Sequence, residues 1–153
     1  MTPAIELLKK QKIPFEILSY EHDAGNSQYG LEAVEKLNLD SAQVYKTLVL
    51  ETHERQLIVA VTPVSQQVNL KQLAKLCGAK KVAMAAPQKV QASTGYILGG
   101  VSPLGQKKRL ATFIHSSASL FDTIYVSAGK RGLEIALSPT NLAALTSAKF
   151  GDL

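Results

Sequence analysis

"VYKTLVLETHERQLIVAVTP", residues 44–63, decides the fold. Two apolar runs rich in β-branched residues, Val44–Thr52 and Gln56–Pro63, flank the polar triplet His53–Glu54–Arg55. That arrangement reads as two successive strands joined in a hairpin. Val44, Lys46 and Leu48 fall on one side of the two-residue alternation, so a lysine stands among apolar neighbours at the start of a strand. Working outward, "FEILSY" (15–20), "KVAMA" (81–85), "LATFI" (110–114), "TIYVSAG" (123–129) and "LEIAL" (133–137) read as further strands.

Helices fall between them. Thr2 caps the first, with Pro3 in its opening position and Ile5 and Leu8 on its apolar face. "LEAVEKLNL" (31–39) sets Leu31, Val34 and Leu37 on one face. Asn69 and Gly78 bracket a helix whose Leu70, Leu73, Ala74 and Cys77 follow the i, i+3, i+4, i+7 spacing. "APQKVQAST" (86–94) is a short helix, and Ser138 with Pro139 starts a last one through "TNLAALTSA" (140–148). Strands that are partly adjacent and partly separated by helices predict a mixed sheet with helices outside it, an α/β or α+β fold. Strand order is not fixed at this level, and barrel-like closure is permitted but not demanded.

With 153 residues, 46% of them hydrophobic, the chain can bury roughly 70% of its unfolded surface around one core, so a single domain over 1–153 is expected. No stretch approaches the ~20 apolar residues of a membrane span. The opening residues contain Glu6 and no signal-peptide run, so the expected location is the cytoplasm. Seventeen Lys and Arg against twelve Asp and Glu give a net charge of +5. That excess favours an anionic partner, nucleic acid first, against the plainer reading of an ordinary basic surface. A single cysteine excludes an internal disulfide, and its helical spacing assigns Cys77 to packing.

Several chemistries fail on their residue patterns. "GVSPLGQK" (100–107) imitates a phosphate-binding loop, but Gln106 stands where the lysine belongs and no Ser or Thr follows. Ser102 is a poor nucleophile, because Pro103 removes the N–H an oxyanion hole would need. His22, His53 and His115 lack metal-ligand spacing, so neither a metal nor another cofactor is expected. His22, in "YEHD", reads as structural rather than as a base.

What remains is a site of exposed backbone and positive charge. "STGYILGGVSPLGQKKR" (93–109) begins like a buried strand, breaks at Gly99–Gly100 and ends in a basic run. Without side chains there, backbone N–H groups can approach an anionic or carbonyl oxygen closely; the alternative is a strand-end turn or bulge. Lys46 either reaches a cleft with its ammonium or extends to solvent along the sheet edge. Tyr20, at a strand end, either offers its hydroxyl to a pocket or is interfacial. Lys107, Lys108 and Arg109, then Lys130 and Arg131, with Lys80 and Lys81 as a third run, suit a phosphate backbone or a solvated turn.

"MTPAIELLKKQKIPF", "YEHD", "VYKTL", "STGYILGGVSPLGQKKR" and "TIYVSAGKRGL" together resemble the YbaK family of bacterial aminoacyl-tRNA deacylases, relatives of the editing domain inserted in some prolyl-tRNA synthetases. The similarity runs from residue 1 to the last helix. It implies a mixed, barrel-like sheet and hydrolysis, in trans, of cysteine mischarged onto proline tRNA. Such editing is chemically sensible, because a synthetase pocket gains only ~1–3 kcal/mol from small apolar differences.

The resemblance also implies roles. The family's lysine is Lys46 and its pocket tyrosine Tyr20. Gly99, Gly100, Val101, Ser102 and Pro103 match the G-x-x-x-P loop facing the aminoacyl ester, with Gly99 and Gly100 counted with Lys46 as catalytic. Ser127 and Gly129 match pocket residues, and Glu134 stands where a relative has an acidic side chain. Two departures stand out: Ala128 replaces the first glycine of G-G-K-R-G, and Glu134 reaches further than an aspartate. The family uses no protein nucleophile, since the substrate thiol is held to attack its own ester. Lys107, Lys108, Arg109, Lys130 and Arg131 would hold the acceptor stem, and prolyl-tRNA synthetase is the implied protein partner. Two rivals stand beside this reading. One is a superfamily deacylase that removes alanine or another small residue; the other is a noncatalytic module that binds RNA or a synthetase.

Overall fold

A computed structural model describes all of residues 1–153. The hairpin forms where the two apolar runs flank the polar triplet. Strands β2 (Tyr45–Thr52) and β3 (Leu57–Pro63) pair antiparallel from Tyr45↔Pro63 to Glu51↔Leu57. Arg55 turns the corner with a left-handed φ of 63°, and the Thr52 N–H closes onto the Gln56 carbonyl. Six of the seven β3 residues are buried because β3 is central. On one side β2 carries the short β4 (Val82–Met84). On the other side, parallel pairing adds β5 (Ala111–His115) and then β8 (Lys149–Gly151).

A second sheet, in the order β1 (Glu16–Ser19), β7 (Leu133–Leu137), β6 (Ile124–Lys130), is wholly antiparallel. The two sheets meet at one bridge, Val44↔Tyr125. They form a mixed α+β core that does not close into a barrel. The principal core contains Val59, Val61, Ile114, Val126 and Ile135 from the strands of both sheets. A smaller cluster on the other face of the five-stranded sheet includes Leu50, Leu73 and Phe113.

The caps follow the sequence closely. In α1 (Pro3–Lys10), Thr2 Oγ1 accepts from the Ile5 N–H and donates to the Ala128 carbonyl at 2.5 Å. The cap thereby ties the helix start to β6 while Ala4, Ile5 and Leu8 enter the core. Asn69 caps α3 (Leu70–Cys77), and Gly78 ends it with φ 76°. Cys77 packs half-buried against the smaller cluster. Ser138 caps α5 (Pro139–Thr146).

Two expectations are corrected. The stretch 93–109 does not begin as a strand. Ser93 and Thr94 are the last turn of α4 (Pro87–Thr94), their hydroxyls bonded to the Lys89 and Val90 carbonyls. Left-handed φ at Gly95, Gly99 and Gly105 then forbids a regular ladder. In α2 (Tyr29–Leu37) the buried residues are Glu32 and Ala33, while Leu31 is 45% exposed. Glu32 can be buried because its carboxylate accepts from the Asp23 N–H at 2.9 Å, meets His22 Nδ1 at 2.5 Å and lies 3.2 Å from Lys36 Nζ.

Candidate active site

β4 reaches only Leu50–Thr52, so at Lys46–Leu48 that edge of β2 has no partner from β4. A cavity of about 610 Å³ lies against these residues, within the range typical of small-molecule sites. Tyr45, Lys46, Thr47 and Leu48 form one wall. The start of α2 and Val64–Gln67 form another, Leu98, Gly99 and Val101 a third, and Tyr20, Ser127 and Glu134 complete the lining. Close packing sets the α2 wall: a Cβ at Gly30 would lie 2.3 Å from Val64 Cγ1.

Lys46 and Gly99, remote in the chain, thus share one cavity. The Lys46 ammonium makes no ion pair or hydrogen bond with the protein, and burial pulls its pKa down. Gly99 has φ 86°. The Gly99 and Val101 N–H groups have no acceptor in the protein. The Gly100 N–H is different, since it closes a turn onto the Ile97 carbonyl at 3.0 Å. The free donors therefore flank Gly100, and Gly100 itself lies against the Lys130–Arg131 backbone.

Ser102 and Pro103 are buried behind the loop and do not line the cavity. Ser102 Oγ accepts from the Leu104 N–H at 3.2 Å, a turn-forming role. Ser127 lines the cavity and accepts from the Gly129 N–H. Gly129 is outside the lining; a Cβ there would lie 2.5 Å from the Tyr96 ring. Ala128 points the other way from Ser127, fully buried in the principal core, so its extra methyl does not narrow the cavity.

Glu134 lies opposite Ser127 on β7 and is 7% exposed. Its carboxyl has no hydrogen-bond or ion-pair partner, and desolvation pushes its pKa up to about 8, so it is mostly protonated at neutral pH. Tyr20 follows β1 directly, its N–H held by the Gly132 carbonyl. Burial, then the nearby Glu134 and Glu32 carboxyls, raise its pKa and keep the phenol protonated. His22 serves the Glu32 network, as a structural histidine should.

Lys107, Lys108, Arg109 and Lys130 are exposed. The Lys107 and Lys108 N–H groups anchor to the Thr94 and Ser93 carbonyls, and Arg109 reaches Ser147 Oγ at 2.6 Å. Arg131 is engaged internally, with Nε and Nη2 on the Leu98 carbonyl and the guanidinium over the Tyr29 ring. Tyr29, Thr47 and Leu98 are lining residues that sequence reasoning missed. None belongs to a chemical motif, and Tyr29 could have been found only by recognising that α2 starts two residues before its apolar pattern. No group of three His, Cys, Asp or Glu is placed to hold a metal ion. No helix is long and apolar enough to cross a membrane.

Comparison with known proteins gives this geometry a context. Residues 28–145 match the family model described as "Aminoacyl-tRNA editing domain". The chain is 37% identical to the Enterococcus faecalis (strain ATCC 700802 / V583) protein named "Putative Cys-tRNA(Pro)/Cys-tRNA(Cys) deacylase EbsC", over 99% of this chain and 92% of that one. The fold is similar to a crystal structure described as a candidate trans-editing enzyme for prolyl tRNA synthetase, with TM-score 0.83, 21% identity and coverage of 98% and 91%. It is also similar to that of the hypothetical protein APE2540, with TM-score 0.88, 21% identity and coverage of 99% and 98%.

Proposed function

The chain belongs to the aminoacyl-tRNA editing domain family and is an aminoacyl-tRNA deacylase, and from that premise we propose that its substrate is cysteine esterified to proline tRNA, released in trans by the substrate's own thiol. The observation that carries the proposal is the shared cavity, in which an unpartnered lysine faces the same space as unpaired loop amides and no protein nucleophile is presented. Ser27, Thr47, Ser65 and Ser127 supply the serine and threonine hydroxyls of the lining, and Ser102 is buried behind the loop. Ser127 accepts from the Gly129 N–H, Thr47 Oγ1 has no hydrogen-bond partner, and none of the five has a histidine or lysine hydrogen-bonded to it to act as a base.

In this reading the cavity holds the aminoacyl end so that the cysteine sulfur lies within bonding reach of its own carbonyl carbon. The C–S bond forms, the C–O bond to the ribose breaks, and the thiol proton ends on the ribose oxygen, giving a cyclic thioester and free tRNA. Holding the reacting atoms in this geometry supplies much of the acceleration. The Gly99 and Val101 N–H groups donate to the oxygen that gains charge. Lys46 binds the terminal phosphate or ribose region as a point charge. The protonated Glu134 and the Tyr20 hydroxyl offer hydrogen bonds without adding negative charge beside the ester. Lys107, Lys108, Arg109 and Lys130 attract the acceptor stem, and prolyl-tRNA synthetase is the protein that would present the correct tRNA.

A panel of tRNA(Pro) species charged with cysteine, alanine or proline, with and without the synthetase, tests the specificity. Selective loss of the cysteinyl ester is expected. Faster loss of the alanyl ester would transfer the protein to the small-residue class, and binding without loss of any ester would make it a noncatalytic module.

A further inference from the structure

Arg131 stands in a basic run, yet its guanidinium is engaged at the surface by the protein's own backbone and a tyrosine ring. Nε and Nη2 donate to the Leu98 carbonyl at 3.1 and 2.7 Å, and the guanidinium carbon lies 4.8 Å from the centre of the Tyr29 ring. One side chain thus ties the turn after β6 to two pieces of the cavity wall, the Leu98–Gly99 peptide and the first residue of α2. Gly99 is fitted to this contact, because a Cβ there would lie 2.7 Å from both Arg131 Nε and Tyr29 Cζ.

The gripped carbonyl belongs to the same peptide unit as the Gly99 N–H. A trans peptide is planar, and its C=O and N–H point in opposite directions. Fixing the Leu98 oxygen on Arg131 therefore aims the Gly99 N–H away from Arg131. That N–H has no protein acceptor, and Gly99 lines the cavity. A cation on the carbonyl also polarises the unit and strengthens the N–H as a donor.

We infer that Arg131 is a positioning residue for deacylation, a clamp that holds the Gly99 amide on the reacting ester, and not a contact to tRNA phosphate. The inference rests on the cavity being the aminoacyl site. It separates Arg131 from its neighbour Lys130, whose side chain is exposed and unpaired.

Arg131→Lys is the discriminating variant, since it keeps the charge but loses the planar fork and the flat stacking face. We expect its kcat on Cys-tRNA(Pro) to fall about 10- to 100-fold, as a slightly misplaced group should cause. KM and its salt dependence should stay near the wild-type values, and amide hydrogen exchange across residues 97–101 should accelerate. Tyr29→Phe, which keeps the ring, should retain wild-type exchange in that segment. Wild-type kcat in Arg131→Lys, with a raised KM and shallower salt dependence in Arg131→Ala, would overturn the clamp and make Arg131 a phosphate contact. Faster exchange with unchanged kcat would likewise overturn the positioning role. Should Arg131→Lys melt far below wild type, Tyr29→Leu carries the same comparison. Should the wild-type protein cleave no aminoacyl-tRNA, the deacylase reading falls, and loop exchange alone decides whether the clamp stands.

Discussion

Glu134 and Glu32 are both buried carboxyls, and their surroundings drive them in opposite directions. For Glu134, desolvation lifts the folded-state pKa to about 8, above the roughly 4.3 of an unfolded glutamate. The folded protein therefore holds the proton more tightly. Its contribution to stability is complete below the unfolded value and is lost as pH rises through 8. Glu134→Gln removes this liability, so thermal melts should show its advantage over wild type widening between pH 5 and pH 8. A constant difference would contradict the assignment. For Glu32, burial alone would raise the pKa, but the Asp23 N–H, His22 and Lys36 together hold it at about 2. Its stabilisation is present above about 4.3 and is lost as pH falls toward 2. The stability advantage of wild type over Glu32→Gln should accordingly shrink across that interval. Lys46→Ala should lose most deacylation while melting at or above the wild-type temperature, because it removes a desolvated, unpartnered ammonium. A large drop in melting temperature would instead make Lys46 structural.

Among the elements, α2 decides whether the cavity has a second wall. Gly30 lets the helix seat on Val64, whose β-branched side chain has little freedom to move aside. Gly30→Ala should cost about 1–3 kcal/mol, the usual cost of overpacking, and should lower activity with it. A variant as stable and active as wild type would show the contact to be slack. The hairpin at 44–63 was legible because two apolar, β-branched runs flank the polar triplet His53–Glu54–Arg55, and α1, α3 and α5 because Thr2, Asn69 and Ser138 announce their starts. The burial of α2 was hidden, since its buried face carries a glutamate whose partners His22 and Asp23 lie in a preceding loop. Strand β8 was missed because three residues carry no usable period and form a strand only through pairing with β5. The start of 93–109 misled because Tyr96, Ile97 and Leu98 suit a strand locally, while the backbone angles at Gly95 and Gly99 rule one out.

At the scale of the whole molecule, the site exists because two pieces remote in the chain meet. The unpaired edge of β2 brings Lys46, and the loop after α4 brings Gly99. Residue types and a family resemblance pointed to both. Their convergence, the engagement of the Gly100 N–H and the hold of Arg131 on the Leu98 carbonyl belong to tertiary structure and leave no mark on local sequence. With a net charge of +5, tRNA affinity should fall steeply with salt. Affinity independent of salt would argue against a phosphate-tracking surface. The central claim is that the bound amino acid's sulfur severs its own ester. The direct measurement is the single-turnover rate for cysteinyl and seryl esters on the same tRNA(Pro), which differ by one atom. The cysteinyl ester should be cleaved more than about 100-fold faster, a barrier difference of about 2.7 kcal/mol. Equal rates would contradict the claim.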